Sequence, residues 1–126
     1  MAFRTPLKQA RGLGASHHGA SHWWSQRLTA IGMVPLMLWL VIGIAANAGA
    51  GYAETIAWIG SPINAVLLAV LFGVLFYHAS LGLQVILEDY VSHQGVRLGL
   101  IIAVRFLALL LATAGIFAVI KIALGG

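Results

Sequence analysis

The chain reads as an all-α membrane protein of three transmembrane helices, with its N-terminus cytoplasmic and its C-terminus periplasmic. Three observations predict this. Of 126 residues, 61% are hydrophobic and 8% charged, where a soluble domain carries about 25% charged residues. The apolar residues gather into three runs long enough for a hydrocarbon core that needs ~20 helical residues. The cations crowd against one side of those runs. No water-soluble fold of this size could hide so much apolar surface, so the solvent is lipid. A formal charge of +4 would suggest nucleic acid in a soluble basic domain; here the flanking of apolar runs accounts for it, and no nucleic-acid partner is expected. There is no cysteine, which excludes disulfides, a Cys-ligated iron–sulfur cluster and thiol chemistry within the chain.

Taken in order, residues 1–26 form a cytoplasmic arm and residues 27–126 a membrane anchor domain with spans at about 27–46, 62–87 and 98–124. The arm holds His17, His18 and His22 beside Ser16 and Ser21. Three imidazoles could bind a metal; the plainer reading is an arm lying on head groups or on a partner, because the surrounding Gly and Ser impose no rigid spacing. Trp23 and Trp24 suit the aromatic belt of the inner face. The first span opens at Arg27. Ala46-Asn47-Ala48 looks like a signal cleavage site, but the uncharged run Leu28–Ala46 exceeds the ~7–15 residues of a signal core, so the span is read as retained. The connection Asn47–Ser61 is rich in Ala and Gly, with Tyr52 and Trp58 suited to an outer belt. Ser61-Pro62 then marks a helix start, and the second span runs on to Leu87. Glu88 to Val96 is a short polar connection. The third span is interrupted by Arg105 and ends near Lys121, whose ammonium can snorkel to the outer face. Each span must be helical, since three are too few to close a β-barrel and unpaired backbone is prohibitive in lipid.

Orientation follows from Lys and Arg. Arg4, Lys8, Arg11 and Arg27 precede the first span and Arg97 lies beyond the second, whereas the first connection carries only Glu54. Positive charge then places the N-terminus and the Glu88–Arg97 connection in the cytoplasm.

His78 is the one histidine inside an apolar run, and the stretch Pro62–Leu87 contains no Asp, Glu, Lys or Arg. An ionisable side chain at membrane depth is a functional-site hypothesis by default. On a helical wheel Leu71, Leu75, Gly82, Val85 and Asp89 lie within about 60° of His78. The face is apolar above and below, with a glycine one turn on. A haem needs an imidazole nitrogen aimed at its iron and a small residue so that the ring can approach the helix. His-x-x-x-Gly meets both needs, but the spacing fits equally a neutral histidine hydrogen-bonded to a neighbouring helix. Asp89 lies about 17 Å along the helix from His78, so if Asp89 is interfacial, His78 is near mid-membrane. The propionates of a haem there would need cations, and Arg27 and Arg105 are the candidates; Arg105 read alone rather snorkels to the inner head groups. A six-coordinate bis-histidine haem needs two axial imidazoles and this chain offers one at depth. A haem would therefore imply a second membrane subunit completing the bundle.

Asp89-Tyr90 stands where a lipid-soluble quinone head meets cytoplasmic water. A phenol can hydrogen-bond a quinone carbonyl, and a neighbouring carboxylate can relay protons. An ordinary interfacial tyrosine beside a solvated acidic pair reads the same way.

The run His78-Ala79-Ser80-Leu81-Gly82, then Gln84-Val85, then Asp89-Tyr90-Val91, resembles the second span of the small hydrophobic membrane anchor subunit of succinate dehydrogenase, the SdhD type. Arg27-Leu28-Thr29-Ala30 resembles the opening of that family's first span, and Arg97, seven residues beyond Tyr90, also agrees. The sister SdhC-type anchor has a His-Arg-x-Thr-Gly stretch before its first span; Gln26-Arg27-Leu28-Thr29-Ala30 stands here, which favours the D type. The resemblance implies a non-catalytic, multi-pass anchor of succinate:ubiquinone oxidoreductase (complex II, serving the tricarboxylic acid cycle and aerobic electron transport) in the bacterial inner membrane. It implies His78 as an axial ligand of haem b iron, the other ligand coming from the SdhC-type cytochrome b anchor subunit. Tyr90 would bond ubiquinone, Asp89 would stand in its proton-uptake region, and Arg27 would lie near the haem propionates. The iron–sulfur subunit and the flavoprotein subunit would carry the succinate chemistry. Two other readings stay open: the anchor of a fumarate reductase or another quinone-linked dehydrogenase, and a haem-free structural bundle.

Overall fold

Helix is the only regular structure among the described residues, as lipid demands of spanning backbone. A computed structural model describes residues 6–10 and 19–126, with α1 (Pro6–Ala10), α2 (Gly19–Ala46), α3 (Tyr52–Gly60), α4 (Pro62–Tyr90) and α5 (Gln94–Ala123). Helices α2, α4 and α5 have 28, 29 and 30 residues and are each long and apolar enough to cross a membrane. At ~1.5 Å per residue they exceed a hydrocarbon core of about 30 Å, so their ends reach into the head groups or the helices tilt.

The α2 helix begins at Gly19, ahead of the first apolar run. Hydropathy marks where lipid begins, while hydrogen bonding carries the helix further into the polar region; residues 19–26 of the arm are thus helical. Pro35 lies inside α2. Its missing N–H is tolerated in membrane helices, where neighbouring groups re-satisfy the freed carbonyl. The α4 helix starts with proline at its first positions, after extended Ser61, as the sequence predicts. It ends where Val91 turns extended. The α5 helix is capped by the His93 ring, whose Nδ1 accepts from Val96 N–H at 3.2 Å.

The connection between the first two spans departs from expectation. It folds into α3, begun by the Glu54 carboxylate accepting from Gly51 N–H at 3.2 Å and by the Thr55 hydroxyl donating to Gly51 O at 3.0 Å. Trp58 turns inward from this helix rather than standing in a belt. Its indole stacks on Trp39, with ring centroids 5.5 Å apart, and a Cβ on Gly43 would collide with it.

The α4 helix is the middle of the bundle: α2 and α5 both lie along it and α3 bridges α4 and α5 at one end. Ala65, Leu68 and Val119 form a small core there, with Trp39, Leu40, Trp58, Ile59 and Phe72 packed on it. Most other large apolar side chains are exposed, which in lipid carries no hydrophobic penalty.

Candidate haem and quinone site on α4

The continuous α4 helix puts His78 about 17 Å, measured along its axis, from Asp89 on a face that begins in the core and ends in the connection to α5. His78 is half-buried because α2 crosses α4 at this level. Its Nδ1 lies 2.9 Å from Thr29 Oγ1. Thr29 also donates back along its own helix, 2.7 Å from Ser25 O and 3.1 Å from Gln26 O. The other ring nitrogen of His78, Nε2, has no hydrogen bond to a described residue, and the side chain as a whole is only partly buried. An imidazole held through one nitrogen with the other open is the donor arrangement a haem iron takes. The residues present therefore fit the group.

Gly82 lies one turn beyond His78, and a Cβ there would meet only Gln26 Nε2, at 3.6 Å. That is an ordinary contact, so packing within the chain does not require glycine. The α2 face opposite is polar: His22, Gln26 and Thr29 follow one another at helical spacing. His22 Nε2 and Gln26 Oε1 are buried without a hydrogen-bond partner. Buried polar atoms are nearly always bonded, and these two on α2 are exceptions. His22 is helical on α2, while His17 and His18 lie outside the described residues, and no cluster of metal-binding side chains occurs among the described residues.

The two candidate cations sit differently. Arg27, two residues from Thr29, is rotated about 200° from it around α2; it is exposed, with its guanidinium 5.4 Å from the Trp23 ring centroid. Trp23 in turn meets Trp24 edge-on at 5.1 Å. Arg105 is not left to snorkel alone. Its Nη2 donates to Gln84 Oε1 at 2.6 Å, and Gln84 Nε2 donates to Glu88 Oε1 at 2.8 Å. This chain of bonds runs along the surface between α4 and α5. It borders a cavity of about 450 Å³ shared with Ser21, His22, Ser25 and Tyr77.

Tyr90 closes α4, is 83% exposed and follows exposed Asp89. No basic residue lies in the last turn of α4. Glu88 and Asp89 thus stand at the negative end of a helix dipole, where carboxylates lower stability rather than raise it. A phenol and two carboxylates held against that preference suit proton and quinone chemistry better than helix capping. Thr29, Gln84 and His93 were missed as site or capping residues. The bonds of Thr29 to His78 and of Gln84 to Arg105 join different helices, and His93 needs an uncommon cap; in the sequence Thr29 and Gln84 stand only as members of the quoted runs Arg27-Leu28-Thr29-Ala30 and Gln84-Val85.

The chain matches the succinate dehydrogenase/fumarate reductase transmembrane subunit family over residues 1–118. It is similar to the succinate dehydrogenase hydrophobic membrane anchor subunit of Rickettsia bellii, at 38% identity over 93% of this chain and 94% of that one. It is also similar to the subunit of the same name from Paracoccus denitrificans, at 28% identity over 99% and 96% of the two chains. The succinate dehydrogenase membrane anchor subunit of Reclinomonas americana matches at 31% identity over 72% and 78%. No solved structure matches.

Proposed function

Because this chain belongs to the succinate dehydrogenase/fumarate reductase transmembrane subunit family, we propose that it anchors a succinate:ubiquinone oxidoreductase in the bacterial inner membrane. In this reading it gives haem b one axial ligand, His78, and ubiquinone one wall of its site, Tyr90. The observation that carries the reading is the single α4 helix, a candidate span that holds His78 through Nδ1 alone among the described residues and ends in an exposed Asp89-Tyr90 pair.

Each residue then has a task. His78 presents Nε2 to the iron from a ring whose rotation α2 restrains. The second imidazole comes from the SdhC-type cytochrome b anchor subunit, which covers the polar strip of α2 and the His78 face. When bound, a haem would supply a one-electron store. Tyr90 donates its phenol to a quinone carbonyl, and Asp89 passes it protons from cytoplasmic water. Arg27, exposed over Trp23, is the cation offered to the propionates. The flavoprotein and iron–sulfur subunits oxidise succinate and deliver electrons from the cytoplasmic side.

The test is made on the purified complex, comparing wild type with His78→Ala and Tyr90→Phe. Wild type shows b-type absorbance and His78→Ala alters it. Tyr90→Phe lowers succinate–ubiquinone activity about 10-fold, the loss expected for one hydrogen bond to the quinone, while succinate oxidation by a soluble dye is kept. A spectrum unchanged without His78 removes the ligand role. Equal loss of both activities in Tyr90→Phe removes the quinone role.

A further inference from the structure

Counting the protons around Thr29 gives its hydroxyl a definite role. A threonine hydroxyl has one hydrogen to donate and two lone pairs with which to accept. Three groups surround Thr29 Oγ1: Ser25 O at 2.7 Å, Gln26 O at 3.1 Å and His78 Nδ1 at 2.9 Å. The two carbonyl oxygens can only accept. The hydroxyl proton therefore points back along α2, to Ser25 O at the ordinary O–H···O distance, with Gln26 O beside it. Were the proton turned to His78 instead, a hydroxyl lone pair would face a carbonyl oxygen at 2.7 Å, which is repulsive. What remains toward His78 is a lone pair, so His78 Nδ1 must be the donor.

We infer that Thr29 is the positioning residue of the haem ligand: by accepting from Nδ1–H it fixes the His78 tautomer that leaves Nε2 bare for iron and holds the ring plane toward the bundle's open face. The inference rests on the ligand role proposed above and adds to it a residue from a different helix. It has an electronic consequence as well. A ligating imidazole whose other N–H is hydrogen-bonded is a more basic ligand, and hydrogen bonding beyond the axial ligand is one of the levers on haem potential. Thr29 thus favours the ferric state. Its own acceptor strength is raised because its proton is engaged with Ser25 O, since hydrogen bonds in a chain polarise one another.

The experiment compares Thr29→Val and Thr29→Ser in the intact, purified complex, read by potentiometric titration of the haem absorbance and by low-spin EPR. Valine keeps the shape and removes the acceptor; serine keeps the acceptor and removes a methyl group. The expected result is a positive shift of the haem midpoint potential and altered g values in Thr29→Val, with Thr29→Ser close to wild type. Where Thr29→Val assembles with its soluble subunits but loses haem, retention by Thr29→Ser supports the role, and equal loss in both overturns it as a packing effect. An unchanged potential in haem-loaded Thr29→Val overturns it, as does a negative shift, which is the sign expected if Thr29 were the donor. His78→Ala separates the two layers. If it leaves the spectrum unchanged, the ligand reading itself fails; if it alters the spectrum and Thr29→Val does nothing, only the role of Thr29 fails.

Discussion

Gly82 is a single residue at which the needs of the chain and those of a ligand separate. Glycine inside a helix costs about 0.5–1 kcal/mol relative to alanine, and nothing in this chain obliges it, since a Cβ there would meet only Gln26 Nε2 at 3.6 Å. The haem proposed above, lying along the His78 face, would supply the missing reason. Gly82→Ala should therefore leave insertion and thermal stability of the anchor unchanged or slightly raised, while the ratio of haem to flavin in the purified complex falls; Gly82→Val should lower it further. Full haem content in both variants would return Gly82 to an accident of packing. Legibility in the sequence differs sharply between the two partners of the His78 contact. His78 stands out locally, as one imidazole in a run without charge. Thr29 does not, because its bond crosses 49 residues of sequence and no spacing rule within one helix can reach that far. Arg105 shows the same limit: read alone it snorkels, and only the approach of α5 to α4 gives it Gln84.

At the scale of elements, the long helices were legible because lipid enforces them. A run of apolar residues of spanning length leaves the backbone no alternative to helix. The short α3 was not legible, since nine residues without spanning length satisfy no such rule; the one local sign was Glu54 placed to bond Gly51 N–H. Association of the helices needs another argument, because burial of apolar surface drives nothing between helices in lipid, and close packing of small residues must do so instead. Gly115 is such a contact. A Cβ on it would lie 2.5–2.8 Å from three atoms of the Phe72 ring, which stacks on Phe76 with centroids 6.3 Å apart and packs on the Ala65–Leu68–Val119 core. Gly115→Ala should thus destabilise the α4–α5 pair by about 1–3 kcal/mol, the usual range for overpacking. The sign is a lowered Tm of the purified complex. Phe72→Leu in the same chain should recover part of the loss, because it removes the atoms in the way. Additive losses in the double variant would mean that the two residues are not in contact.

For the whole molecule, the reading depends on which side of the membrane receives the end of α4. Three continuous spans force the α2–α4 and α4–α5 connections onto opposite faces. Of the seven Lys and Arg residues, Arg4, Lys8, Arg11 and Arg27 stand at or before the start of the first apolar run and Arg97 seven residues after Tyr90, and the first connection has none. Lys and Arg near short loops set topology while acidic residues contribute little, so the expected place of the connection after Tyr90 is the cytoplasm, the compartment from which a soluble dehydrogenase would deliver electrons. The chain lends itself to a direct test because it contains no cysteine. Ser92→Cys marks the α4–α5 connection and Ala53→Cys the exposed side of α3. With a membrane-impermeant maleimide, Ala53→Cys should label in spheroplasts and Ser92→Cys should not. Inverted membranes stripped of peripheral subunits should give the opposite pattern, and detergent-solubilised protein should label at both. Before stripping, Ser92→Cys should label more slowly than after it, because the iron–sulfur subunit would cover the end of α4. Labelling of Ser92→Cys from outside would turn the anchor over, place Asp89 and Tyr90 away from the dehydrogenase, and leave the quinone role of Tyr90 without an electron donor.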